Sequence, residues 1–345
     1  MTGEMEAFFI EDKMERVKVG VIGVGHLGEH HTRVYSGLPQ AELVGIYDLD
    51  IEKAKNRAEK YQTRHFDEID KLLQKVEAIS LVVPTSSHYN TAKKVLSQGI
   101  HILIEKPITE TVEQAEELIR IAKARNLILQ VGHIERFNPA LKAIQNFKLA
   151  PRFIESHRLS SFQERGTDVA VILDLMIHDL DLILYLVKEK VKSIEASAVS
   201  VITDMEDIAN ARITFENGCV ANVTTSRVSA RPMRKLRIFQ KNVYVSLDLL
   251  EKTAEIYRLV EAEDNETAVQ KTVIGQIPVN RAGKTIIYEK PQMEKGDMLT
   301  AELSSFLESV ATKTPPPVTG VQAKEALKLA LDIREKASLH FHKFK

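Results

Sequence analysis

The chain has a single cysteine, no apolar run long enough to cross a bilayer, and almost no net charge: 47 Lys and Arg stand against 48 Asp and Glu, for a formal charge of −1. Cys219, alone, can form neither an intramolecular disulfide nor a cysteine-rich zinc site, which suits a reducing compartment; it reads as a small buried residue of a strand. With the charges balanced, no general basic field exists to hold a nucleic-acid backbone, so no nucleic-acid partner is expected. A membrane span needs roughly 18 apolar residues, and none is present, so no membrane partner is expected either. At the start, Glu4, Glu6, Glu11 and Asp12 surround only a short apolar patch at Ala7 to Ile10, without the basic start and longer core of a signal peptide. Residues 1–16 therefore read as a flexible extension, and the chain as cytoplasmic.

What is present is ordinary for a globular protein. Apolar residues make up 44% and charged residues 28% of 345, enough for about two domains with their own cores. From residue 17 short β-rich runs (17–22, 42–47, 79–83, 100–104, 127–131) alternate with amphipathic stretches (27–36, 51–61, 87–98, 111–125), the pattern of a doubly wound parallel sheet with crossover helices. After Pro139 the character changes. Alternating runs at 153–159, 193–201, 209–215, 219–226, 235–239, 243–248 and 254–259 predict a mostly antiparallel, open-faced sheet, with Asn217-Gly218 as a hairpin turn. Helices are expected at 140–147, 171–187, 298–312 and 321–336, the last two separated by Pro315-Pro316-Pro317. The expected organisation is an N-terminal Rossmann domain over 17–132 (α/β) and a second, α+β domain over 133–345 for substrate binding and oligomerisation.

Directly after the first strand stands Gly23-Val24-Gly25-His26-Leu27-Gly28, a complete G-x-G-x-x-G opening a helix. Gly23 permits the tight turn, Gly25 lets backbone approach a pyrophosphate, and Gly28 lets the helix pack close, while the helix N-terminus presents free N–H groups to the negative charge. Asp48 follows at the end of the second strand, 20 positions past Gly28. A carboxylate there accepts hydrogen bonds from ribose hydroxyls and repels a 2′-phosphate, so the cofactor is NAD; the competing role for Asp48 is a helix N-cap. Ligands of such sheets lie beyond the carboxyl ends of the strands, so Thr85 and His88 of Pro84-Thr85-Ser86-Ser87-His88, and Glu105 and Lys106 of Glu105-Lys106-Pro107, are cofactor-site candidates. His88 reads equally as a surface residue of a helix's first turn, and His30-His31 as capping the first helix face.

The Glu105-Lys106-Pro107 tripeptide, the glycine loop and a later Asp-x-x-x-His together resemble the Gfo/Idh/MocA oxidoreductases over nearly the whole chain. The resemblance implies an NAD-dependent dehydrogenase (EC 1.1.1.-) acting on CH–OH groups of a sugar, inositol or sugar nucleotide. It carries the catalytic Asp and His onto Asp174 and His178. The residues themselves support that reading. Alcohol oxidation needs a base for the hydroxyl proton and a cation near the oxygen. Lys106 can supply the cation; Asp174 and His178, four apart on a helix of apolar residues, share a face, so that His178 can act as base with Asp174 holding its ring. With Lys106 in that role no metal is expected.

Arg136 and Asn138 in Gly132-His133-Ile134-Glu135-Arg136-Phe137-Asn138-Pro139, and Arg165 and Asp168 before the catalytic helix, are the candidate substrate-binding residues beside Lys106 and His178. Arginine forks suit a diphosphate, and Asp and Asn suit sugar hydroxyls. The first of these strings, with Asp-Leu-Met-Ile-His-Asp, is similar to those of family members that oxidise the 3-hydroxyl of UDP-N-acetylglucosamine, which is the expected substrate. A free sugar or inositol dehydrogenase remains an alternative, as does a non-catalytic NAD-sensing regulator. An open sheet face exposes apolar surface in a monomer, so a homodimer or homotetramer is expected.

Overall fold

A computed structural model of the chain describes residues 16–163, 169–261, 273–278, 284–294 and 296–341. The expected N-terminal extension lies almost wholly outside the described residues. The first sheet is formed by β1 (Val17–Ile22), β2 (Ala41–Tyr47), β3 (Ala78–Leu81), β4 (His101–Glu105) and β5 (Leu129–Gly132). They lie parallel in the order β2-β1-β3-β4-β5. Because successive side chains of a strand point to opposite faces, Val19 and Val21 of β1 join a core with α1 (His26–Gly37) and α2 (Ile51–Lys60). Ile79, Leu81, Ile102 and Ile104 join the other, with α3 (Ile69–Leu73), α4 (Thr85–Ser97) and α5 (Val112–Ala124). Both faces are thus covered, as a parallel sheet requires.

After a 3₁₀ turn at Ile134–Phe137 and the short α6 (Pro139–Lys142), the chain builds a nine-stranded sheet. Its strands are β6 (Phe153–Leu159), β7 (Val191–Val199), β8 (Ile208–Phe215), β9 (Val220–Ser226), β10 (Met233–Gln240), β11 (Val243–Asp248), β12 (Thr253–Glu261), β13 (Val273–Pro278) and β14 (Lys284–Glu289). Their order is β13-β14-β12-β11-β10-β6-β9-β8-β7, and every pairing is antiparallel except β6 with β9. One face packs on α7 (Ile177–Val187) and the C-terminal helix; the other is open. Cys219 is fully buried, a free thiol whose pKa burial raises.

Four features depart from the sequence reading. The last two strands were not expected at all. β7 stops at Val199 because the amides of Val201, Ile202 and Thr203 bond the Asp207 carboxylate instead of a neighbouring strand. The helix expected over 171–187 begins as a π-helical turn, Ile172–Met176, before becoming α-helical. The cores also reach across the expected division at 133. α8 (Met298–Thr312) returns to the first sheet, where Leu303, Phe306 and Leu307 fill the core beside α1. The start of α9 (Gly320–Phe341) does likewise on the other face through Ala323 and Leu327, with Val131 N–H bonding Val318 C=O. An apolar face must be buried against something, and covering the outer helices of the first sheet takes precedence over sequence distance.

Candidate active site

The glycine loop leaves β1 with Gly23 at φ +86°, where an added Cβ would lie 2.3 Å from the Val82 carbonyl oxygen. A Cβ on Gly28 would lie 1.8 Å from the Gly23 carbonyl oxygen, so only glycine lets α1 sit so close. Around Gly25, in contrast, the space is open. Gly25 is the N-cap of α1 and offers no side-chain cap, and His26 and Leu27 are exposed in the first turn, leaving that turn's N–H groups open to an anion. Asp48 is partly exposed beside the loop. Its Oδ2 accepts from Val24 N–H at 2.7 Å and its Oδ1 from Asp50 N–H at 2.9 Å. The N-cap of α2 is Asp50, which bonds Lys53 N–H, so Asp48 is not the cap. It ties the second strand to the glycine loop and keeps lone pairs for a ribose. Together the open space at Gly25, the uncapped helix and the spare carboxylate acceptors fit a dinucleotide.

Thr85 opens α4 at the same end of the sheet, partly exposed. His88 does not face the cleft. It is 1% exposed, with Nδ1 2.8 Å from the Pro107 carbonyl oxygen and Nε2 2.9 Å from that of Val83. Burial lowers its pKa against these hydrogen bonds. The ring braces the loop after β3 against the cis-Pro107 turn after β4. This corrects both readings of His88, cofactor contact and surface residue. Glu105 is likewise engaged from below. Its Oε1 lies 3.1 Å from His31 Nε2, and His31 Nδ1 lies 3.3 Å from Ser80 Oγ, which bonds Tyr35 at 2.9 Å. Burial raises the Glu105 pKa, but His31 and the Lys106 charge outweigh it and leave the carboxylate lowered. His31 is therefore a core residue rather than a cap on the helix face. Beside this network Glu302 of α8 is fully buried with neither oxygen partnered, and burial plus the Glu105 charge push its pKa well up, so it holds a proton.

Lys106 crosses from the first sheet to the second domain's helix. Its Nζ donates to the Asp174 carbonyl oxygen at 2.7 Å and to Asp174 Oδ1 at 3.0 Å. Asp174 lies within the π-helical turn, Ile172–Met176. Asp174 thus pairs with Lys106 and makes no hydrogen bond to His178, which corrects its assignment as the holder of the histidine ring. His178 is partly exposed; its Nδ1 is buried and unpartnered. Burial, then Lys106, Arg158, His133 and Arg234, hold its pKa well below the usual value, so the ring is a neutral base.

Two of the four expected substrate clamps are structural. Arg136 is 7% exposed, forks onto Asp181 at 2.5 and 2.8 Å and stacks on Tyr185 at 4.1 Å. Asn138 is fully buried, donating to Glu135 Oε2 and Leu249 C=O while capping α6 through Ala140 N–H. Arg165 and Asp168 lie outside the described residues. The residues missed in sequence are those of the same buried lattice. Arg158 forks onto Asp179 and reaches Glu135 at 3.0 Å, beneath the helix that carries His178. The signal was available in the acids Asp179 and Asp181 within an otherwise apolar stretch, since buried carboxylates need cationic partners.

Residues 17–133 match the oxidoreductase family with an NAD-binding Rossmann fold, and residues 146–244 match the GFO/IDH/MocA C-terminal domain. The chain belongs to the Gfo/Idh/MocA oxidoreductase family. As a member it is an NAD-dependent dehydrogenase acting on CH–OH groups. It is 39% identical over 322 residues to the UDP-N-acetylglucosamine 3-dehydrogenase of Acidithiobacillus ferrooxidans, covering 93% of this chain and 97% of that one. The solved structure of that enzyme superposes with a TM-score of 0.85 at 38% identity, over 94% and 98% of the two chains. The scyllo-inositol 2-dehydrogenase of Bacillus subtilis is 26% identical over 62% of this chain and 68% of its own. GenD2 from gentamicin A biosynthesis, solved with NAD, shares the fold (TM-score 0.74, 17% identity, 94% and 95% coverage).

Proposed function

We propose that the chain oxidises the 3-hydroxyl of UDP-N-acetylglucosamine to the keto sugar, with Lys106, Asp174 and His178 as its catalytic residues. The observation that carries this is the 39% identity, over 93% of the chain, to an enzyme of that name. The geometry at Lys106 supplies the chemistry. Gly23, Gly25, His26, Leu27, Gly28, Asp48 and Thr85 hold the cofactor. NAD held there would supply the hydride acceptor for oxidation of the sugar carbon. Lys106 Nζ, fixed by the carbonyl and carboxylate of Asp174, presents its remaining N–H to the substrate oxygen and stabilises negative charge developing there. His178, neutral, accepts the hydroxyl proton. Asp174 balances the Lys106 charge and keeps the ammonium in place.

The open sheet face carries Phe153, Phe239, Tyr244, Tyr257 and Tyr288 in a cross-strand stack with centroids 4.8–5.7 Å apart. Such a partly exposed aromatic ladder supports self-association through this face, as a dimer or tetramer. The cell location that fits the single free thiol is the cytoplasm.

The test is NADH formation by purified protein with NAD and, separately, UDP-N-acetylglucosamine, UDP-glucose, glucose and myo-inositol. Turnover of UDP-N-acetylglucosamine, with the 3-keto product identified by NMR, is expected. Turnover confined to glucose or myo-inositol would replace the proposed substrate, and light scattering that shows a monomer at micromolar concentration would remove the oligomer.

A further inference from the structure

Among the described residues, the carboxylates of the helix that carries His178 are already engaged. Asp174 holds Lys106, Asp179 holds Arg158, and Asp181 holds Arg136. Among the described residues, a group that faces the ring without a partner is another histidine. His133, the first residue after β5, is 1% exposed, and neither of its ring nitrogens has a hydrogen-bond partner. Its ring stands perpendicular to that of His178, at 87°, with centroids 6.5 Å apart. That is too far for a direct ring-to-ring hydrogen bond and suits one bridging water. Three buried nitrogens, two on His133 and Nδ1 on His178, lie together, and buried polar atoms are seldom left unpaired.

We propose that His133 is a positioning residue for His178: a water held between a His133 ring nitrogen and His178 Nδ1 fixes the Nδ1–H tautomer and leaves the Nε2 lone pair for the substrate hydroxyl. The inference rests on the reading of His178 as the base. Nδ1–H donates to the water, and the water donates to the lone pair of a neutral His133. When Nε2 takes the hydroxyl proton, the same donation stabilises the imidazolium, and no proton moves to His133. Burial keeps His133 neutral, with Arg136 and Lys106 acting in the same direction against Asp181 and Glu105. The charged groups that meet His178 itself are Lys106 from the β4 loop, Arg158 from β6 and Arg234 from β10.

Nitrogen NMR of histidine-labelled full-length protein reads the tautomer without turnover. Wild type is expected to show His178 as Nδ1–H. In His133→Phe that population falls, kcat drops roughly tenfold, a fraction of what a general base supplies, and KM for NAD stays unchanged. The acid limb of kcat against pH moves lower, because the imidazolium loses its acceptor. His133→Asn keeps a polar partner and restores the wild-type tautomer and most of the rate. An unchanged tautomer in His133→Phe with kcat within twofold of wild type overturns the proposal, as does an Nε2–H ring in wild type. His178→Asn separates the two readings. If it leaves kcat intact, the base assignment fails; if it abolishes turnover while both His133 variants behave as wild type, only the role of His133 fails. Should His133→Phe not fold, His133→Asn and His133→Ala carry the comparison, Ala being expected to lose the tautomer that Asn keeps.

Discussion

Replacing Lys106 by alanine separates catalysis from folding. The ammonium makes two charge-assisted hydrogen bonds, at 2.7 and 3.0 Å, both to Asp174. The Asp174 side chain is 38% exposed, so water re-solvates its carboxylate once the lysine is gone. After screening, such a partly exposed pair contributes about 1 kcal/mol or less. For a chain of 345 residues that corresponds to a Tm loss of about 1.5 °C or less. The transition state has no such substitute. Removing one donor aimed at a developing oxyanion costs about 2.7–4 kcal/mol, or about 10²–10³ in kcat. Lys106→Ala is therefore expected to fold, to bind NAD as wild type does, and to lose kcat by that factor at saturating substrate. Lys106→Arg should recover little, since a planar fork cannot address the carbonyl and carboxylate of Asp174 and a substrate oxygen at once. NADH absorbance, thermal unfolding and NAD titration on the same preparations decide it. A kcat within tenfold of wild type, or a Tm loss several times larger than this, refutes the argument by making Lys106 chiefly structural.

Four further outcomes follow from the same geometry. Arg158→Ala leaves Asp179 buried without its cation and Glu135 with only the longer Arg234 contact at 3.6 Å, and urea unfolding should show about 3–5 kcal/mol lost, against little for the exposed Lys55 and Glu52 pair. Because His178 must be neutral to act and its pKa is depressed, kcat/KM should stay flat through neutral pH and fall only below the ordinary imidazole value of about 6.5; an acid limb at or above that value contradicts the burial argument. Gly28→Ala forces the loop apart at the Gly23 carbonyl and should abolish NAD binding measured by calorimetry. Glu302 has a raised folded-state pKa, so it costs stability as pH rises above its unfolded value of about 4.5; Glu302→Gln should raise Tm, more in alkaline than in mildly acid buffer, and an equal gain at both would show that the carboxyl is not protonated in the fold.

The glycine loop, Asp48 and the Glu105-Lys106-Pro107 turn were legible in the sequence because their roles depend on backbone geometry and on position at a strand's end, which local pattern specifies. The two sheets were legible for the same reason: the change from helix-spaced to alternating apolar residues near Pro139 records which faces are buried. Arg136 and Asn138 show where that reasoning stops. A cation and an amide at a domain junction look like ligands until their partners are known, and the partners, Asp181 and the Leu249 carbonyl, lie 45 and 111 residues away. His88 and His31 are the same case, since nothing near either residue in sequence reveals the carbonyls and the carboxylate that hold them. The i, i+4 spacing of Asp174 and His178 was real, but the carboxylate pairs with Lys106, 68 residues away in the chain. The sequence by itself determined the cofactor loop and the sheet classes, both of which rest on short-range periodicity and strand ends. Only the tertiary structure decided which charges face solvent and which are consumed inside, because pairing across a buried interface follows from packing and desolvation between segments far apart in the chain.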